Sequence, residues 1–73
     1  MTDLAPTLTV NGAPTALVAA STVTDLLRQL DIDPAVGGIA VAVNGVVVPR
    51  SRWTQTTLTA GDDVEIIRAT AGG

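Results

Sequence analysis

The sequence has 73 residues, of which 47% are hydrophobic, and a formal net charge of −3. A chain of this length forms one small domain, because it cannot supply a second hydrophobic core. It has no cysteine and no histidine, which excludes disulfides, zinc-thiolate sites, a thiol nucleophile and the usual general base near neutral pH. Its acidic balance disfavours nucleic acid and anionic membrane surfaces as partners. We therefore expect a non-enzymatic protein that binds no cofactor or metal ion.

The start of the chain, MTDLAPTLTV, lacks a positively charged region followed by a long apolar run. No apolar stretch reaches the roughly 18 residues that a membrane-spanning helix needs. These features predict a cytoplasmic protein.

Two Asn-Gly pairs predict two β-hairpins, because this dipeptide suits a two-residue turn with positive φ at both positions. Asn11-Gly12 separates TLTV from PTALV, and Asn44-Gly45 separates IAVAV from VVVP. In IAVAV the residues alternate between the two faces of a strand. One face then carries Ile39, Val41 and Val43, and the other carries Ala40 and Ala42.

The segment STVTDLLRQL, between the hairpins, has the periodicity of an amphipathic helix. Its apolar residues at i, i+3, i+4 and i+7 are Val23, Leu26, Leu27 and Leu30. Ser21 or Thr22 can cap the start of this helix, and Asp25 can complete a capping box with Thr22. The helix should end before Pro34, and Gly37-Gly38 in the following loop is predicted to be a flexible connection.

A polar stretch follows Trp53, and Gly61-Asp62 marks a turn into a final strand. Val64 and Ile66 should face inward in this strand, whereas Glu65 and Ile67 should face outward. Trp53 is expected to fill the edge of the core. Its neighbours Arg50 and Arg52 either face solvent or contact acidic groups of a partner, and Asp62, Asp63 and Glu65 either face solvent or meet a basic rim on a partner.

The element order is strand, strand, helix, strand, strand, short irregular piece, strand. It predicts an α+β fold in which one helix packs across one face of a mixed sheet of four or five strands. The first and last strands can then pair in parallel at the centre of the sheet, as in a ubiquitin-like β-grasp domain. We expect residues 1–73 to form this single domain, with a tail of about residues 69–73.

Beyond Arg68 the residues are small and end in Gly72-Gly73. A frayed terminus is one interpretation of this segment. The other is an unbranched probe, because five extended residues reach about 17 Å at most and so can enter the buried active site of a partner. The carboxylate of Gly73 would then be the reactive group, after activation as an acyl-adenylate.

Four segments, VTDLLRQL, VAVNGVVVPRSRW, LTAGDDVEII and the final GG, resemble the ThiS family of sulfur carriers from bacterial thiazole biosynthesis. The resemblance covers nearly the whole chain. The same fold is found in ubiquitin and in MoaD, the small subunit of molybdopterin synthase. The Gly-Gly end is common to all three, whereas the VNG, VPR and W pattern followed by GD and VEI is more specific to ThiS.

The resemblance implies that a ThiF-like enzyme uses ATP to adenylate the carboxylate of Gly73. Sulfur that originates from a cysteine desulfurase then gives a thiocarboxylate, which donates its sulfur to the thiazole synthase ThiG. Thr70, Ala71 and Gly72 would thread into the active sites of these partners. The docking face would consist of Ile67, Ala40, Ala42 and one residue of VVV, although single exposed aliphatic residues are also common on protein surfaces. The carrier is expected to be monomeric when free.

Three alternatives share parts of this pattern. A MoaD-like carrier would supply molybdopterin synthesis, but such chains usually carry a Phe-rich first strand and this sequence has no Phe. A ubiquitin-like modifier would be attached to lysines of other proteins; the absence of lysine here forbids internal isopeptide chains but not single attachment. An RNA-binding β-grasp domain is disfavoured by the acidic balance and the single aromatic residue.

Overall fold

The computed structural model describes residues 7–18 and 21–69. The predicted order of elements is confirmed, although the second strand is shorter than the PTALV segment and the irregular piece contains a 3₁₀ helix. The elements are β1 (Thr7–Val10), β2 (Ala13–Ala16), α1 (Val23–Gln29), β3 (Ile39–Val43), β4 (Val46–Val48), the 3₁₀ helix (Arg50–Arg52) and β5 (Asp63–Arg68).

The five strands form one mixed sheet in the order β2-β1-β5-β3-β4. Strand β5 lies at the centre, parallel to β1 on one side and antiparallel to β3 on the other. The predicted parallel pairing of the first and last strands is therefore confirmed. With α1 as its single α-helix, the described chain has the ubiquitin-like β-grasp architecture.

A capping box fixes the start of α1, as the sequence predicts. The Thr22 hydroxyl accepts a hydrogen bond from the Asp25 amide at 3.2 Å, and the Asp25 carboxylate accepts one from the Thr22 amide at 3.0 Å. The backbone hydrogen bond from Thr22 is the largest of the effects that lower the pKa of Asp25, because the bond stabilises the charged carboxylate. The helix ends at Gln29, well before Pro34.

The core lies between α1 and the sheet. Val64 and Ile66 face inward from β5 as predicted, and Trp53 is only 2% exposed, with its indole N–H donating to the Val48 carbonyl at 2.9 Å. Three other buried residues, Leu17, Ile32 and Leu58, lie outside the regular elements and were not predicted to belong to the core. The buried hydrophobic residues are Leu8, Val10, Leu17, Val23, Leu26, Leu27, Ile32, Val41, Trp53, Leu58, Val64 and Ile66.

Both Asn-Gly pairs form the predicted turns, with φ of 50° at Asn11 and 52° at Asn44. The side chain of Asn11 also extends the pairing of β1 with β5. Its amide nitrogen donates to the Ile66 carbonyl at 3.1 Å, and its amide oxygen accepts from the Ile66 N–H at 2.8 Å. Asn11 therefore makes with its side chain the two bonds that another strand residue would make with its backbone.

Asn44 contacts the start of β5 from the other side. Its side-chain oxygen accepts from the Asp63 N–H at 2.9 Å, and its amide nitrogen donates to the Asp62 carboxylate at 3.0 Å. Burial raises the pKa of Asp62, but hydrogen bonds from Thr59 and Asn44 outweigh this effect and the pKa is lowered overall. The two turns thus hold the central strand at two separate points.

Candidate functional site

An exposed apolar surface lies on the face of the sheet opposite α1. Ile67 is 61% exposed and pairs across the strands with Ala40, while Ala42 pairs with Val47, which is 68% exposed. The structure thus brings together the three residues predicted for docking and identifies Val47 as the contribution of β4. We call Ala40, Ala42, Val47 and Ile67 the outer patch.

Neighbouring Val46 points to the other face of the sheet. It is 67% exposed and pairs with Val43, which contacts the core, so it lies on the helix side at the edge strand. Val46 and Val47 therefore have nearly equal exposure but opposite orientation.

Acidic side chains border the outer patch. Glu65 lies opposite Ala42 on the same face, and Asp63 precedes Glu65 by two residues in β5. The Thr9 hydroxyl donates to the Asp63 carboxylate at 3.0 Å, which fixes the orientation of that group. The face as a whole combines an apolar centre with negative charge, a pattern that complements an apolar surface with a basic rim.

The end of β5 is fixed by the loop that precedes β3. The Ala69 N–H donates to the Gly38 carbonyl at 2.6 Å, one residue beyond the last strand pair, Ile39 with Arg68. Gly38 has φ of +79°, and its carbonyl is the acceptor of this bond, a contact that the prediction of a flexible connection did not include. The predicted tail residues Thr70, Ala71, Gly72 and Gly73 lie outside the described residues.

Arg50 connects the 3₁₀ helix to that loop. Its guanidinium donates to the carbonyls of Pro34 and Val36, the latter at 2.6 Å, and lies over the Trp53 ring at 4.4 Å from the centroid. The expectation that Arg50 is either solvated or free to contact a partner is therefore incomplete, because three groups of its own chain occupy the guanidinium.

Replacing Arg50 with alanine should lower the free energy of unfolding by about 1–2 kcal/mol, since two charge-assisted hydrogen bonds and a cation–π contact are lost at a largely exposed site. Urea unfolding measures this change. Arg52→Ala is the matched control, because within the described ranges the Arg52 guanidinium has no hydrogen-bond partner. Equal destabilisation by the two substitutions would contradict the role assigned to Arg50.

The described residues form neither a metal-binding cluster nor a membrane-spanning helix. Within residues 7–18 and 21–69, no group of three or more His, Cys, Asp or Glu side chains could hold a metal ion. The same part of the chain has no helix that combines the length and the apolar character needed to cross a bilayer.

Comparison with known proteins identifies the family. The model of the ThiS family matches residues 8–73, which include both the outer patch and the final Gly-Gly. The chain belongs to the ThiS family. It is 42% identical over 55 residues to the sulfur carrier protein ThiS of Escherichia coli (strain K12), a match that covers 75% of this chain and 80% of that protein.

Solved structures agree with this assignment. A crystal structure of the thiamine biosynthesis protein ThiS from Geobacter metallireducens superposes with a TM-score of 0.74 at 38% identity, covering 92% of this chain and 99% of that one. An NMR solution structure of a thiamine biosynthesis protein from the same organism gives a TM-score of 0.72 at 38% identity, covering 92% and 87% of the two chains.

Membership of the ThiS family defines the general role of the chain. It is a small sulfur carrier rather than a catalyst, and the family implies a place in thiamine biosynthesis. The family also implies, in general terms, an activating enzyme of the ThiF type and ThiG as partners.

Proposed function

We propose that this ThiS-family chain carries sulfur as a thiocarboxylate on Gly73. A carboxylate oxygen of Gly73 attacks the α-phosphate of ATP in the active site of a ThiF-like enzyme, and pyrophosphate leaves. A sulfur nucleophile, either hydrosulfide or a persulfide that a thiol later cleaves, then attacks the acyl carbon and displaces AMP. A cysteine desulfurase supplies this sulfur, and the thiocarboxylate donates it to the thiazole synthase ThiG in the cytoplasm.

The observation that carries this proposal is the family match, which extends through Gly73. The chemistry of the chain is consistent with it. The sequence contains no cysteine, so a side-chain persulfide cannot hold the sulfur, and the activated carboxylate of the main chain is a group that can. Adenylation is needed because a carboxylate alone is a poor electrophile.

The outer patch is the proposed docking surface for the activating enzyme. Its four aliphatic side chains can bury apolar area on association, and this burial is the main driving force for protein–protein contact. The bordering carboxylates of Asp63 and Glu65 would meet basic groups on the partner, which raises the association rate more than the affinity. ThiG is proposed to use the same face at a later stage.

Beyond Ala69 the sequence continues with Thr70, Ala71, Gly72 and Gly73. None of these side chains is large, so the segment can enter a narrow channel. At about 3.5 Å per extended residue, four residues place the acyl carbon up to about 14 Å from the end of the sheet. Docking through the outer patch and chemistry at Gly73 can therefore occur at separate places on the partner.

Intact-mass measurement tests this proposal. After incubation with ATP, a ThiF-like enzyme and a sulfur donor, the protein should gain the mass difference between one sulfur and one oxygen atom, and fragmentation should locate it at Gly73. A variant that lacks Gly73 should remain folded and gain nothing. Sulfur on any other residue, or sulfur loading of the truncated variant, would refute the proposal, and an isopeptide bond to another protein would favour the modifier alternative.

A further inference from the structure

The geometry points to Gly38 as a positioning residue for the segment that ends in Gly73. This inference rests on the proposed function of that segment. Gly38 does not touch the reacting atoms; its backbone carbonyl fixes the point from which the chain leaves the sheet.

The hydrogen bonds of strand β5 end earlier on the side of β1 than on the side of β3. On the β1 side, the last hydrogen bonds are those of the Asn11 side chain with Ile66. On the β3 side, pairing continues to Arg68, and the Gly38 carbonyl then accepts the Ala69 N–H at 2.6 Å. Within the described ranges this bond is the last backbone contact before residue 70.

Side-chain packing does not replace this bond. A cleft of about 310 Å³ lies beside the end of β5, lined among others by Asp31, Val36 and Arg68. Ala69 is exposed and borders this cleft. The direction of the chain at Ala69 is therefore set by the hydrogen bond to Gly38 more than by a packed wall.

The loop that presents the Gly38 carbonyl is itself held in place. The Asp33 carboxylate accepts from the Ala35 N–H at 2.9 Å, and the Asp33 carbonyl accepts from the Val36 N–H at 3.1 Å. Arg50 binds the Val36 carbonyl from the side of the 3₁₀ helix. The acceptor for Ala69 is thus preorganised.

Glycine is required at position 38 for its backbone conformation. With φ of +79°, Gly38 lies in the region that other residues rarely adopt. An added Cβ would lie 3.5 Å from the Cβ of Ala69 and 3.6 Å from its carbonyl oxygen, which is ordinary contact. A substitution therefore acts by straining the backbone, and relief of that strain would turn the carbonyl away from Ala69.

The hydrogen bond that anchors Ala69 should affect the rate of adenylation more than it affects the affinity of docking. If the anchor is lost, Ala69 itself must be ordered when Gly73 enters the active site, and ordering one residue corresponds to about tenfold in rate. Docking through the outer patch does not involve this residue. The expected signature is a lower kcat for adenylation at an unchanged KM for the carrier.

Gly38→Ala tests this inference with Gly45→Ala as its matched control. Gly45 has φ of +83°, close to that of Gly38, but it lies in the β3–β4 turn and an added Cβ there would meet no atom within 4 Å. Pyrophosphate release by a ThiF-like enzyme measures both constants. We expect Gly38→Ala to lower kcat about tenfold with KM within about twofold, and Gly45→Ala to change neither by more than about twofold.

A second pair of variants tests the donor of the hydrogen bond between Ala69 and Gly38. Ala69→Pro has no N–H to donate, whereas Ala69→Ser retains it. We expect Ala69→Pro to reproduce the loss in kcat and Ala69→Ser to behave as the unchanged protein. Hydrogen exchange should show a protected Ala69 amide in the unchanged protein and in Gly45→Ala, and faster exchange in Gly38→Ala.

The outcomes separate this inference from the proposed function. If the unchanged protein gains no sulfur at Gly73, the proposed function fails. If it gains sulfur and Gly38→Ala is adenylated as fast as Gly45→Ala, or if KM rises and kcat does not fall, the positioning role alone is overturned. Urea unfolding of both glycine variants shows whether the assays compare folded proteins.

Discussion

Replacing Ile67 with aspartate is expected to weaken binding to a ThiF-like enzyme by about thirtyfold or more, since loss of a hot-spot residue at the centre of an interface costs about 2 kcal/mol or more. Ile67 is 61% exposed, so the new carboxylate is hydrated in the free carrier. In the complex it would lose that hydration against an apolar surface. Calorimetric titration measures the dissociation constant, and urea unfolding of the free variant should show that it is still folded.

The matched test of the same surface uses two adjacent residues of β4. Val47→Asp adds a carboxylate to the outer patch, whereas Val46→Asp adds one at 67% exposure on the opposite face of the sheet. Both substitutions place aspartate in the same edge strand, so their effects on strand formation should be similar. Only Val47→Asp should weaken binding. If both substitutions weakened binding equally, or if neither weakened it, the outer patch would not be the docking surface.

Replacing Asn11 with glycine should lower the free energy of unfolding by about 2 kcal/mol, because the buried Ile66 would lose both of its hydrogen bonds to the Asn11 side chain. Glycine accepts the positive φ of the turn, so the turn itself can still form. Equilibrium unfolding in urea measures the difference.

Asn44→Gly provides the control for that substitution. Both variants replace asparagine with glycine, so they change the flexibility of the unfolded chain alike, and the φ of 52° at Asn44 is close to the 50° at Asn11. The bonds of Asn44 to Asp62 and Asp63 lie at an exposed site, where water can replace them. We therefore expect a loss of less than about 1 kcal/mol. If the two variants lost the same free energy, the bonds to Ile66 would not be the cause.

Short-range patterns in the sequence predicted much of this fold. The Thr22 and Asp25 spacing gave the capping box, each Asn-Gly pair gave a turn, and alternation in β5 put Val64 inward and Ile67 outward. These features depend on neighbours a few residues apart, so local rules of backbone geometry suffice to predict them. The outer patch followed from the same alternation applied to β3 and β5.

Contacts between distant parts of the chain were not predictable in this way. The bond from Asn11 to Ile66 joins residues 55 apart in sequence, and the bonds from Arg50 to Pro34 and Val36 span 16 and 14 residues. Nothing in the local pattern distinguishes these side chains from solvated turn residues. The contact of Gly38 was missed for the same reason, because its partner Ala69 lies far away in the sequence.

The central position of β5 has a mechanical consequence. Tension applied to the chain beyond Ala69, for instance by a partner that grips the terminal residues, acts along a strand flanked by β1 and β3. Hydrogen bonds between strands run across this axis, so the load is borne in shear by two ladders together. An edge strand would instead be held against the same force by one ladder of hydrogen bonds only. The terminal segment can thus be pulled firmly while the body of the carrier keeps its shape.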